Sequence, residues 1–213
     1  ESSAASDVYK RQGYDAVPGT LKAQLNVRGN EMMEELSKKL DFPFRRNGSL
    51  VLCFEEDAMS GLEELYRRGM ENGVKELKLL SPEEVWGMEP AVSRDIVGAL
   101  YAPTGGIVCP FGLNIALAEN AAENGVEFYR NHKVTSIVEQ RPVWSENPPE
   151  KEGRMYQVQA DGEMFLAPIV INAAGVYADE IHNMICEDRI RIVPRRGEYR
   201  LMDKNCGNLV NST

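Results

Sequence analysis

Pro168-Ile169-Val170-Ile171-Asn172-Ala173-Ala174-Gly175-Val176-Tyr177-Ala178-Asp179 is the stretch on which the reading of this chain turns. Ile169-Val170-Ile171 is an unbroken apolar triplet, which predicts a strand buried on both faces. A helix is expected from about Tyr177. Between them Ala173, Ala174 and Gly175 strip away side-chain bulk where the strand's carboxyl end meets the helix N-terminus. Open α/β sheets bind ligands at that point, with free backbone N–H groups suited to phosphate. A tight strand-to-helix turn needs small residues in any case, so composition alone leaves both readings open.

Working outward, the segment before it reads as hairpins. Tyr156, Val158 and Ala160 alternate, and Asp161-Gly162 is a two-residue turn toward Met164–Leu166. Gln140–Gly153 is polar, carries Pro148-Pro149 and reads as a surface loop. Lys133–Val138 and Val126–Phe128 are predicted strands. The helix before them places Leu113, Ala116, Leu117 and Ala121 on one face and stops at Asn124-Gly125. Downstream, Ile190–Val193 and Glu198–Met202 are strand-like.

Nearer the N-terminus, Thr20 sits as an N-cap after the Pro18-Gly19 turn. Leu25, Met32, Met33, Leu36 and Leu40 predict a helix over Leu21–Leu40. Asn47-Gly48 turns the chain into a strand at Ser49–Phe54, and Met59–Met70 forms a helix stopped by Asn72-Gly73. Strands are expected at Leu77–Leu80 and Val97–Ala102. Between them Ser81-Pro82-Glu83-Glu84 has capping-box spacing with proline at the first helical position. The alternation predicts a mixed α/β (α+β) fold, an α/β unit interleaved with a more antiparallel one.

A net charge of -9 without a basic stripe argues against a nucleic-acid partner. Cys53, Cys109, Cys186 and Cys206 form no CxxC and no Cys/His cluster, so neither a metal site nor a disulfide framework is expected. Free thiols in a reducing cytoplasm are the expectation. No apolar run approaches the roughly 20 residues needed to span a bilayer. His132 and His182, the two histidines, are poorly placed as general bases and read as structural or solvent-facing.

The apolar strand, Asn172-Ala173-Ala174-Gly175, Val176, Tyr177, Ala178 and Asp179 together resemble the second flavin-contacting segment of the D-amino-acid-oxidase-like superfamily of FAD-dependent oxidoreductases. The resemblance implies that Ala173, Ala174 and Gly175 pack against the FAD dinucleotide. It also implies that Val134, in Lys133-Val134-Thr135-Ser136-Ile137, meets the adenine through its backbone. Val193-Pro194-Arg195-Arg196-Gly197-Glu198-Tyr199 resembles the strand that passes near the isoalloxazine in members oxidising glycerol 3-phosphate or 2-hydroxy acids. Arg196 and Tyr199 are then substrate-binding candidates. An arginine is apt there because its planar fork holds a carboxylate or phosphate in bidentate fashion. No residue is assigned to the chemical step.

Shorter fragments across Gly13–Thr213 look like the anaerobic-type glycerol-3-phosphate dehydrogenase and L-2-hydroxyglutarate oxidase branch. The implied architecture is a partial FAD-binding Rossmann-like domain interleaved with a mostly antiparallel substrate domain. Residues 13–40 follow the flavin-binding start, 41–103 and 189–213 belong to the substrate domain, and 104–188 to the FAD-binding domain. Residues 1–12 are expected to be a non-native leader, because Ser2–Gln12 resembles translated adaptor sequence. Neither a GxGxxG diphosphate loop nor a later glycine-rich flavin segment occurs here. The expectation is therefore a fragment, inactive by itself, of an enzyme that takes a hydride from a hydroxylated anionic small molecule. An amine-oxidising relative and a non-catalytic α/β fragment are the alternatives. The intact protein would be cytoplasmic and pass electrons to an unidentified acceptor, and the sequence leaves peripheral membrane contact open.

Overall fold

A computed structural model describes residues 13–140, 154–194, 203–206 and 209–212. Contacts divide the chain into two compact units, Glu1–Val126 with Arg200–Thr213, and Glu127–Tyr199. Both mix strands with helices, and every strand pair among the described residues is antiparallel.

The first unit is built on locally encoded elements. Helix α1 runs Leu21–Leu40, and the Thr20 hydroxyl accepts from the Ala23 N–H at 3.3 Å, satisfying one of the donors a helix start leaves free. Met33, Leu36 and Leu40 pack on Phe42, Val108 and Ala116, whereas Leu25 and Met32 stay exposed. Strand β2 (Ser49–Cys53) pairs with β4 (Gly98–Ala102), which pairs in turn with β3 (Lys78–Leu80). Helix α2 (Met59–Glu71) contributes Leu62 to a core with Tyr14, Leu77 and Leu100. Helix α3 (Pro82–Met88) carries the complete reciprocal capping box of Ser81 and Glu84, and its Val85 is sealed against Ala99 and Ile96.

Two short strands were not anticipated, β1 (Phe44–Arg46) and β5 (Gly106–Val108), which pair with each other. A Cβ on Gly106 would lie 2.8 Å from the Phe44 ring and 3.0 Å from the Arg45 carbonyl, so only glycine lets the strands close. The Arg46 guanidinium fixes the pair to α1. Its Nη1 donates to Asn30 Oδ1 at 3.0 Å and to the Thr104 carbonyl at 2.6 Å, while Nη2 donates to the Asn30 carbonyl. Helix α4 (Pro110–Glu123) follows; it buries Ala116 and packs Leu113, but Leu117, expected on the same face, is exposed.

The second unit is a three-stranded meander, β6 (Val134–Gln140), β7 (Met155–Ala160) and β8 (Glu163–Ala167), with helix α5 (Ala178–Ile185) against β6. Asp161 and Gly162 both take positive φ, 44° and 86°, as the anticipated two-residue hairpin requires.

Three expectations fail. Val126–Phe128, Ile169–Ile171 and Ile190–Val193 are not strands, and Ile169 and Ile171 are 73% and 84% exposed rather than buried. A strand persists only where its N–H and C=O groups find ladder partners. No described strand pairs with any of the three. The predicted loop beyond Gln140 and the Glu198–Met202 strand lie outside the described residues.

Candidate functional site

The turn at Asn172–Tyr177 is shaped by one side chain. The Asn172 carbonyl oxygen Oδ1 accepts from the Ala174 N–H at 3.3 Å, and its Nδ2 donates to the Ala178 carbonyl at 2.7 Å. Asparagine is suited to this because its amide copies the hydrogen bonds of a backbone turn. The brace carries the chain into a 3-10 turn at Gly175–Tyr177 and on into α5. Gly175 has φ +59°, the left-handed region that a branched side chain resists, and a Cβ there would meet nothing within 4 Å. Conformation, rather than crowding within the unit, therefore selects glycine.

Ala173 and Gly175 are exposed and Ala174 is half-buried, so the turn offers a bare backbone ledge. Asp179 secures its far side: Oδ2 accepts from the Ile192 N–H at 2.8 Å. Val134 is the first residue of β6, half-buried, paired with Ala160 and followed by a register shift before Ser136.

A groove of about 470 Å³ lies beside the turn, lined by Ile137, Tyr156, Ile169, Asn172, Ile181 and His182 among others. Most of its lining is apolar, and Glu139 and Arg154, which also line it, form an ion pair of 3.4 Å. Neither Val134 nor Ala173, Ala174 or Gly175 lines it. The structure thus brings the four candidate cofactor residues into one unit, but no described cavity joins them.

Each histidine ring lies within hydrogen-bonding distance of a backbone carbonyl. His182 Nε2 is 2.9 Å from the Asp188 carbonyl, and His132 Nδ1 is 2.8 Å from the Arg130 carbonyl. All four cysteines are free, and no cluster of metal-ligating side chains occurs among the described residues. Arg196 and Tyr199 lie outside the described residues. Sequence marks Asn172 and Asp179 as part of the family motif but not the hydrogen bonds they make, although an asparagine just before three small residues is itself a turn signal.

The open ledge fits one contact with an extended dinucleotide, since nothing within 4 Å would obstruct approach at Gly175. It does not enclose such a ligand.

A family model described as "FAD dependent oxidoreductase" matches residues 1–211, which include Ser2–Gln12, and the chain belongs to that family. FAD is the family's cofactor. Within it, the chain is 46% identical over 209 residues to a glycerol 3-phosphate dehydrogenase of Caloramator mitchellensis, covering 98% of this chain and 41% of that protein. It is 30% identical over 198 residues to the mitochondrial L-2-hydroxyglutarate dehydrogenase of Mus musculus, covering 91% and 41%. Among solved structures, reduced L-alpha-glycerophosphate oxidase from Mycoplasma pneumoniae with FAD bound superposes with a TM-score of 0.67 at 29% identity, covering 82% of this chain and 44% of that one. The chain thus spans about two-fifths of the length of these relatives. No described helix is long and apolar enough to cross a membrane.

Proposed function

We propose that the intact protein is an FAD-dependent dehydrogenase or oxidase that acts on a hydroxyl-bearing carbon of an anionic small molecule. Glycerol 3-phosphate is the first candidate and a 2-hydroxy acid such as L-2-hydroxyglutarate the second. The observation that carries this reading is the 46% identity, across 98% of the chain, with the glycerol 3-phosphate dehydrogenase. FAD, when bound, supplies the acceptor for the hydride that leaves as the alcohol carbon becomes a carbonyl. This chain's part is to bind and orient. Val134, Ala173, Ala174 and Gly175 present backbone to the cofactor, Arg196 anchors the substrate's anionic group, and Tyr199 lies beside it. Residues 104–188 then serve the cofactor and 41–103 with 189–213 the substrate, in a cytoplasmic enzyme whose electron acceptor is unidentified.

The resemblance implies a strand at Arg195–Tyr199, on which adjacent residues point to opposite faces, so one of Arg195 and Arg196 is assigned to the substrate. Arg196 is assigned because it abuts Gly197, where a missing side chain lets a ligand approach the backbone. Losing a charge-assisted bidentate contact in a partly desolvated site costs about 2–5 kcal/mol. Arg196→Met in the intact protein should therefore lower kcat/KM by roughly 30-fold to several thousandfold, with flavin content unchanged. Arg195→Met should change it by less than about threefold. Steady-state kinetics with glycerol 3-phosphate and L-2-hydroxyglutarate make the test. Equal, small effects from both substitutions would remove the assignment, and a large effect at Arg195 alone would reverse the facing.

A further inference from the structure

The ledge at Ala173–Gly175 has little packing to hold it. Ala173 and Gly175 are exposed, and so are Val176 and Tyr177, which follow. Nothing lies within 4 Å of a Cβ built on Gly175. A glycine beside two alanines also has much backbone freedom to lose on ordering. Such a stretch keeps one shape only where hydrogen bonds impose it.

Asn172 supplies those bonds and spans the ledge in doing so. Its Oδ1 holds the Ala174 N–H, and its Nδ2 reaches the Ala178 carbonyl six residues on. Beneath this arch Tyr177 N–H donates to the Ala174 carbonyl at 3.1 Å, and Ala178 N–H donates to the Gly175 carbonyl. The far foot of the arch is itself fixed. Ala178 opens α5, and side chains of that helix staple it to the segment that follows. Asp179 Oδ2 accepts from Ile192 N–H at 2.8 Å. Asn183 Nδ2 donates to the Ile190 carbonyl at 2.9 Å, and its Oδ1 accepts from Ile190 N–H at 3.0 Å. Asn172 thus ties a stretch without packing to a helix that is held independently.

We propose that Asn172 is a positioning residue for FAD: its side-chain arch holds Ala173–Gly175 in the shape that meets the dinucleotide before the cofactor arrives. This rests on the assignment of Ala173, Ala174 and Gly175 to FAD made above. Asn172 acts through the ledge and not by touching the cofactor. A ligand that needs one backbone shape binds more weakly in proportion to the molecules that have lost it. Each exposed hydrogen bond of the arch favours that shape by about threefold, so the two together favour it by about tenfold.

The test uses the full-length protein, its flavin removed and restored by titration, and the variants N172A, N172S, F165L and G175V. Asn172 is exposed, so N172A should fold. In the flavin-free protein N172A should speed amide exchange at Ala174, Tyr177 and Ala178 about tenfold, while β6 and β7 keep their protection. The Kd for FAD, read by flavin fluorescence, should rise by up to about tenfold. In N172S the hydroxyl takes over the Ala174 N–H more weakly and does not reach Ala178, so both effects should be smaller. F165L is the control for general loosening, since Phe165 packs edge-on against Tyr129 in the same unit, away from the turn. It should speed exchange in β8 and leave the Kd within about twofold. Unchanged exchange in N172A would overturn the arch. Faster exchange with an unchanged Kd, or an equal rise in Kd from F165L, would overturn the positioning role. G175V separates that failure from failure of the cofactor assignment. If G175V loses FAD while N172A does not, only the positioning role fails; if G175V binds FAD as the wild type does, the assignment of the ledge fails and the positioning role with it.

Discussion

The two units solve the problem of burial differently. In the first, Leu100, Ala102 and Val85 are wholly sealed, and three apolar clusters draw on every helix and strand. In the second, among the described residues, Ile137 and Ala160 are the buried apolar side chains. The same unit exposes Ile169, Ile171, Val176 and Val193 to between 55% and 84%. Hairpins and capped helices find their partners within a few tens of residues and close by themselves. The apolar triplet of the second unit has the composition of a strand flanked on both sides and no described neighbour on either.

Leu100→Ala strikes at the difference hardest. Removing a fully buried leucine costs about 2–5 kcal/mol, and hydrogen exchange across β2, β3 and β4 should accelerate accordingly. Ile171→Thr, at a site 84% exposed, should change stability by no more than about 0.5 kcal/mol. Comparable losses from the two substitutions would mean that Ile171 is covered in solution, and the contrast between the units would break.

Gly175→Val comes next. A non-glycine residue held in the left-handed region costs about 1–2 kcal/mol, and at φ +59° the branched side chain has open space but the wrong backbone. In the intact protein the variant should fold, keep the exchange protection of the first unit, and purify with little FAD, read by absorbance and by extraction of the flavin. Full flavin content would show that Gly175 is only a turn residue.

What the sequence made legible follows the same divide. Thr20, the Ser81–Glu84 box and Asp161-Gly162 encode their structures in side chains three or fewer residues apart, and the helices and hairpin stand where these signals place them. Ile169–Ile171 and Val126–Phe128 carry strand composition, but pairing is a non-local fact that composition does not contain. Phe44–Arg46 and Gly106–Val108 are three residues each, too short for periodicity, and one contains two arginines. Of the candidate site, the small residues Ala173–Gly175 were readable because bulk is missing there. Outside that site, the buried carboxylate of Glu89 was not legible, since a lone acid in Met88-Glu89-Pro90 gives no sign of its hydrogen-bond partners Asn211 and Ser212, 122 and 123 residues away.

The smallest expected effect is one that the first unit cannot show, because both histidines of the chain, 132 and 182, fall in the second. The His132 ring sits edge-on to Tyr129 and near Phe165, with Nε2 3.5 Å from the Glu163 carboxylate. Its pKa is raised above the ordinary imidazole value, first because Nδ1 meets the Arg130 carbonyl; partial burial opposes this, and the negative charges of Glu163 and Asp161 add to it. A raised pKa means that the folded protein binds the proton more tightly than the unfolded chain. The resulting stabilisation is fully present below about pH 6.5, the unperturbed value, and is lost as pH rises through the folded-state pKa. An NMR titration of the His132 ring should therefore have its midpoint above that of a free imidazole. Glu163→Gln should lower the midpoint, though not to the free value, since the larger contribution of the Arg130 carbonyl remains. Exchange protection in β7 and β8 should weaken slightly on going from pH 6 to 8, an effect absent from His132→Gln and absent from the first unit in either protein. A midpoint below the free-imidazole value, or equal pH sensitivity in the two units, would show that burial rather than the hydrogen bond governs this ring.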